Sequence, residues 1–136
     1  MPRILAVDFG EKRIGLATSD ESGTVATPRR TLLRRSDEDA VDALERFCRD
    51  EEIALVLFGI PRSPDGVESA FAERIRSFAA KLTRRTGLPL RFHEETLTSD
   101  EAGRRLHGSP ARTGLDAMAA AVLLEDYLQS VESRAR

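Results

Sequence analysis

The chain has 136 residues, 40% of them hydrophobic and 32% charged, with a formal net charge of −2. This is enough chain for one domain, residues 1–136, with a proper core, and no apolar run approaches the length of a membrane span. The near-neutral charge does not advertise nucleic-acid binding, and the lone cysteine, Cys48, excludes an internal disulfide.

The opening Met1-Pro2-Arg3-Ile4 enters a strand directly, so no signal peptide is expected, and a reducing cytoplasm fits the cysteine usage. Of 21 basic residues, 19 are arginine, with adjacent pairs at Arg29-Arg30, Arg34-Arg35, Arg84-Arg85 and Arg104-Arg105. Guanidinium forks match phosphate geometry. Any one such pair is equally well read as solvated surface.

In chain order, Ile4 to Val7 is an apolar strand buried on both faces, ending in Asp8 where solvent begins. Gly10 serves the following turn, and Gly15 marks a close approach in the returning strand, Arg13 to Ser19. After the turn Asp20-Glu-Ser-Gly23, a third strand spans about Val25 to Leu33, and Pro28 predicts that it is an edge. Ser36 caps a helix with Asp37, Glu38 and Asp39 in its first turn and Val41, Leu44, Phe47 and Cys48 on its buried stripe. A packing role for Cys48 outweighs a nucleophilic one.

Ile53 to Phe58 is a second all-apolar strand, ended by Gly59-Ile-Pro61. Phe71, Ile75, Phe78, Ala79 and Leu82 have helical spacing, stopped by Gly87 and Pro89. A short strand, Leu90 to His93, runs into Glu94-Glu95. Thr98 or Ser99 opens a brief helix to Leu106, and Gly108 to Pro110 form a turn. The last helix spans about Gly114 to Gln129 and is apolar on more than one side, which predicts sheet packing and leaves room for a homodimer contact. Residues 130–136 are expected to be a disordered tail.

Three antiparallel strands followed by alternating helices and strands predict an α/β fold with a mixed five-stranded sheet, the first strand central. Open sheets of this kind place ligands at the carboxyl ends of their strands. Asp8, the loop after Phe58, and Glu94 or Glu95 then converge at one edge, with Asp116 in the opening turn of the last helix. Taken singly, Glu95 reads equally well as a solvated acid and Asp116 as a dipole partner. Gathered, they repel: two carboxylates roughly 4 Å apart cost about 4 kcal/mol at an effective dielectric near 20. Hard oxygen ligands without His or Cys point to Mg²⁺ or Mn²⁺, as a pair of ions suited to phosphodiester hydrolysis. Lys12 and Arg13 lie close enough in sequence to meet phosphates, or to pair with Glu11 or Asp20. His93 and His107 lack metal-ligand spacing.

Asp8-Phe-Gly-Glu-Lys-Arg-Ile-Gly-Leu-Ala-Thr-Ser-Asp20 resembles the opening signature of the YqgF/RuvX family of Holliday junction resolvase-like and pre-16S rRNA nucleases. Gly59-Ile-Pro61 with Asp65-Gly66, Glu94-Glu-Thr-Leu-Thr-Ser99, Leu115-Asp116-Ala-Met-Ala-Ala120 and Tyr127-Leu128 are similar to its later motifs, in order across about residues 4–128. Glu94 stands where that family has aspartate, and Thr96 where it has arginine. The resemblance implies an RNase H-like fold, a cytoplasmic location, metal-dependent nuclease chemistry, and processing of the 5′ end of the 16S rRNA precursor. It implies Asp8, Glu95 and Asp116 as catalytic, metal-holding carboxylates, with Lys12, Arg13, Arg104 and Arg105 left as candidate substrate contacts. Two other readings stand beside it: a DNA endonuclease of the Holliday junction type, and a non-catalytic RNA-binding factor in ribosome assembly.

Overall fold

The computed structural model describes residues 3–63, 65–95 and 115–134, with the backbone alone for 115, 133 and 134. The elements are β1 (Arg3–Asp8), β2 (Arg13–Ser19), β3 (Ala26–Leu33), α1 (Asp37–Asp50), β4 (Ile53–Pro61), α2 (Ala70–Thr86), β5 (Leu90–Glu95) and α3 (Leu115–Arg134). One sheet holds the strands in the order β3-β2-β1-β4-β5. The first three are antiparallel, and β4 and β5 add in parallel. β1 is central and the Pro28 strand is an edge, as their sequences predict.

Side-chain alternation divides the core into two layers. Leu5, Val7, Ile14, Leu16, Val56 and Phe58 face one side, where they meet Val41, Leu44 and Cys48 of α1 and Phe71, Ile75, Phe78 and Leu82 of α2. Ile4, Ala6, Ala17 and Leu57 face the other side and meet Ala120, Leu123 and Leu124 of α3. Each fully buried Leu, Ile or Phe contributes about 1.5–3 kcal/mol. The larger aromatic and aliphatic cluster therefore anchors the fold on the α1/α2 side. The α3 side is free to carry charged groups, and period-two alternation puts Asp8 there, because it follows Ala6 by two residues.

α1 and α2 are capped as their sequences require. Ser36 Oγ accepts from Asp39 N–H at 3.1 Å at the start of α1, and Ser69 Oγ accepts from Ala72 N–H at 3.1 Å at the start of α2. Gly87 closes α2 in the left-handed conformation, φ 70°. Cys48 packs in the α1/α2 core layer, where burial pushes its thiol up to about 11.

Four boundaries differ from the sequence expectation. β3 starts at Ala26, not Val25. β4 runs through Gly59 and Ile60 to Pro61. β1 stops pairing at Val7–Phe58, so Pro61 lies beyond the region where β4 is hydrogen-bonded on both sides, and its missing N–H costs little there. β5 continues to Glu95, which pairs with Pro61, so Glu95 is strand-borne. α3 extends past Gln129 to Arg134, where a tail was expected. Met118 and Val122 are exposed on α3 while Ala120, Leu123 and Leu124 are buried, so its apolar character does span two sides. The expected helix from Thr98 or Ser99 to Leu106 and the Gly108–Pro110 turn lie outside the described residues. Among the described residues no helix is long and apolar enough to cross a membrane.

Candidate active site

The end of β1, the start of β2 and the last part of β4 lie side by side in the sheet. Gly15 of β2 pairs with Asp8 of β1. On the other flank, Gly59 of β4 follows Phe58, the partner of Val7, so it stands beside Asp8. Asp8 is thus flanked by two residues without side chains, and each gap is filled from elsewhere.

Over Gly15 lies the start of α3. A Cβ at position 15 would collide with the carbonyl of Asp116 and fall 2.8 Å from the Ala117 nitrogen. Only glycine allows so close an approach of helix backbone to strand, and it delivers Asp116, the second residue of α3, to the neighbourhood of Asp8. Over Gly59 lies the side chain of Glu95. A Cβ at 59 would stand 2.7 Å from Glu95 Oε1 and 3.1 Å from both Glu95 Cδ and Leu123 Cδ2. Glu95 pairs with Pro61, two residues beyond Gly59, and leans back along the sheet toward Asp8.

Asp8 and Asp116 are 4% and 3% exposed. Burying two carboxylates this way demands nearby positive charge. Arg13 supplies some of it: its Nε lies 3.4 Å from Asp116 Oδ2. Arg13 thus reaches an acid that its own sequence neighbourhood does not offer. Asp20 is engaged in its own turn, accepting from Thr24 N–H at 2.9 Å and Val25 N–H at 3.1 Å.

Among the described residues, no three His, Cys, Asp or Glu side chains are drawn together closely enough to hold a metal ion. The three expected acids share one corner of the sheet but do not form a closed cage, because Arg13 lies on Asp116 and Glu95 rests over Gly59 beside Leu123. Their donor chemistry still suits a hard divalent cation: all donors are carboxylate oxygens, two of the three groups are buried, and His93 is engaged elsewhere. His93 Nε2 is 2.7 Å from Asp126 Oδ2, and its ring stands edge-on to Tyr127, so it ties β5 to α3.

Of the candidate substrate contacts, Lys12 is exposed in the turn after Asp8 and Arg13 is partly buried. Arg104 and Arg105 lie outside the described residues. Several of the paired arginines serve the fold: Arg34 bonds Glu11 and Asp37, Arg85 bonds Asp42 and Glu45, and Arg29 bonds Glu51. One cation that sequence reasoning missed is Arg62. Its backbone N–H donates to Glu95 O at 2.9 Å, and its guanidinium, 62% exposed, lies 3.9 Å from Glu94. Its place directly after Gly59-Ile-Pro61 was the available signal.

A mixed sheet of this order, with one acid at the carboxyl end of its central strand, another at the end of the parallel edge strand β5 and a third on the helix crossing them, defines an RNase H-like fold of the resolvase type. The same architecture is found in Thermus thermophilus RuvC in complex with Holliday junction substrate (TM-score 0.61, 11% identity, 96% of this chain and 95% of that one). It recurs in the fowlpox virus Holliday junction resolvase (TM-score 0.53, 13% identity, 94% and 99%). At sequence level the match is to a particular family. The chain belongs to the RuvX family, described as Holliday junction resolvase, which matches residues 2–130. Similar proteins include those of Anaplasma marginale (34% identical, 97% of this chain and 87% of the relative) and Anaeromyxobacter sp. strain K (38%, 93% and 96%). Both carry the name "Putative pre-16S rRNA nuclease".

Proposed function

We propose that this chain is a divalent-metal-dependent nuclease that processes the 5′ end of the 16S rRNA precursor in the cytoplasm. The observation carrying this reading is the Gly15–Asp8–Gly59 row, which leaves room for Asp116 on one side of Asp8 and Glu95 on the other. The names of the relatives favour RNA as the substrate.

In this reading Asp8, Glu95 and Asp116 would hold a pair of Mg²⁺ or Mn²⁺ ions. When bound, the metal supplies an activated water and stabilises the departing oxygen. Asp8 lies between the other two acids and would hold the metal together with them. Glu95 has a long side chain on the last residue of a strand, so it moves to its ligand position without disturbing the sheet. Arg13 exchanges Asp116 for a backbone phosphate, since a guanidinium fork matches a phosphodiester as well as a carboxylate. Lys12 and Arg62 flank the strand ends and steer the polyanion.

A DNA endonuclease is the second reading, favoured by the family's description and by the fold shared with the resolvases. The test is cleavage of precursor 16S rRNA and of four-way DNA junctions by the purified chain with Mg²⁺ or Mn²⁺, with Asp8→Asn as control. Metal-dependent cutting of the RNA that Asp8→Asn abolishes is expected. Selective junction cutting reverses the order of the two readings. Unaltered RNA processing by Asp8→Asn removes the catalytic reading and leaves an assembly factor.

A further inference from the structure

The four-residue turn between β1 and β2, Phe9 to Lys12, separates Asp8 from Arg13 and is held from outside by an ion-pair network. Arg74 of α2 donates from Nε to Glu11 Oε1 at 2.6 Å, and from its two terminal nitrogens to Asp37 Oδ2 at 2.9 Å and Oδ1 at 2.7 Å. The same guanidinium lies over the Phe9 ring, 5.0 Å from its centroid, and Phe9 packs on Phe78 at 4.8 Å. Arg34 closes the network from the opposite side. Its guanidinium bonds Glu11 Oε2 at 3.2 Å and Asp37 Oδ1 at 3.0 Å, and its backbone N–H donates to Lys12 O at 2.8 Å. Lys81 adds a third cation, 2.8 Å from Asp37 Oδ2.

These contacts do more than hold α1 against α2. Phe9, Glu11 and the carbonyl of Lys12 are all tied down, while the Lys12 side chain points into solvent. Two anions and two planar guanidinium forks lock the turn in one geometry, because each fork requires both its partners in plane. Lysine at either arginine position would supply the charge without that constraint.

From this geometry we infer that Arg74 and Glu11 are positioning residues for the nuclease reaction: their clamp fixes the turn that presents Lys12 and Arg13 beside Asp8. The inference rests on the nuclease reading. Neither residue touches the reacting atoms. They act through the turn, and loosening it displaces Asp8 and Arg13 relative to Asp116 and Glu95. A misplacement of about 1 Å by a change outside the reacting centre costs up to about 100-fold in rate.

The test is a double-mutant cycle with Glu11→Gln and Arg74→Met, read by kcat and KM on precursor RNA and by amide hydrogen exchange across residues 9–13. Each single variant is expected to lower kcat about tenfold, with a smaller rise in KM because Lys12 and Arg13 meet the substrate from this turn. The double variant falls no further than either single, and faster exchange is confined to the turn. Arg74→Lys restores charge but not kcat. Unchanged kcat in folded variants, additive losses, or faster exchange spread over α1 and α2 alike overturns the inference. Should Arg74→Met not fold, Glu11→Gln, which is nearly isosteric, decides alone by the same two readouts. A wild-type chain that cuts no nucleic acid refutes the nuclease reading, whereas the exchange arm still decides whether the clamp exists.

Discussion

The carboxylate of Glu95 occupies the volume that a side chain at position 59 would need: a Cβ on Gly59 would stand 2.7 Å from Glu95 Oε1. The two residues belong to neighbouring parallel strands and are 36 positions apart, and the absence of one side chain makes room for the other. Gly59→Ala is therefore expected to displace the Glu95 carboxylate. The displaced atoms end a flexible side chain, so the stability cost stays near 1 kcal/mol while cleavage falls about tenfold or more. Urea unfolding and single-turnover cleavage, measured on one preparation, check the split.

Gly15→Ala should behave in the opposite way. Its Cβ would strike the backbone of Asp116 and Ala117, which cannot yield without moving α3 off the sheet. We expect about 3 kcal/mol of destabilisation or more, with activity lost through unfolding. A folded, fully stable Gly15→Ala protein would refute the close approach of α3 to β2.

Much of this arrangement was legible in the sequence. Asp8 announces itself by ending an apolar run, Pro28 marks the edge strand, and Gly15 signals that something comes near. What comes near was not legible, because Asp116 is about a hundred residues away and reaches Gly15 only through the packing of α3. Glu95 was read as lying beyond its strand because a charged pair looks like loop, whereas parallel pairing with β4 carries β5 through to it. The Arg74–Glu11–Asp37 network was invisible for a similar reason. Its members come from a turn and two helices, and each alone resembles ordinary surface charge.

Asp37 gives the fold a defined acid sensitivity. Hydrogen bonding from Arg74 is the main influence holding its carboxyl well below the ordinary carboxylate range; burial opposes it, and Lys81 assists. A carboxyl depressed in the folded state stabilises the protein above its unfolded pKa of about 4 and loses that contribution as pH falls through the folded value. Asp37→Asn should therefore lower the melting temperature at pH 7. The difference from wild type should shrink steadily below about pH 4. Thermal melts across that range check the sign, and a gap that widens toward acid contradicts it.

Arg62 separates binding from stability. Its ion pair with Glu94 spans 3.9 Å with both side chains well exposed, a geometry that contributes little to folding. Arg62→Ala should leave the melting temperature unchanged, raise KM for RNA, and reduce the salt dependence of binding by about one unit of slope. Binding to uncleaved RNA with the Asp8→Asn protein as background, measured between low and moderate salt, gives that slope.

The most direct test of the account is anomalous diffraction at the manganese edge from crystals soaked in Mn²⁺ at a concentration that supports cleavage. The account predicts manganese peaks at the Gly15–Asp8–Gly59 row, with oxygens of Asp8, Asp116 and Glu95 about 2.0–2.4 Å away and Arg13 withdrawn from Asp116. Manganese bound only elsewhere, or no peak while the Arg13–Asp116 pair persists, would contradict it.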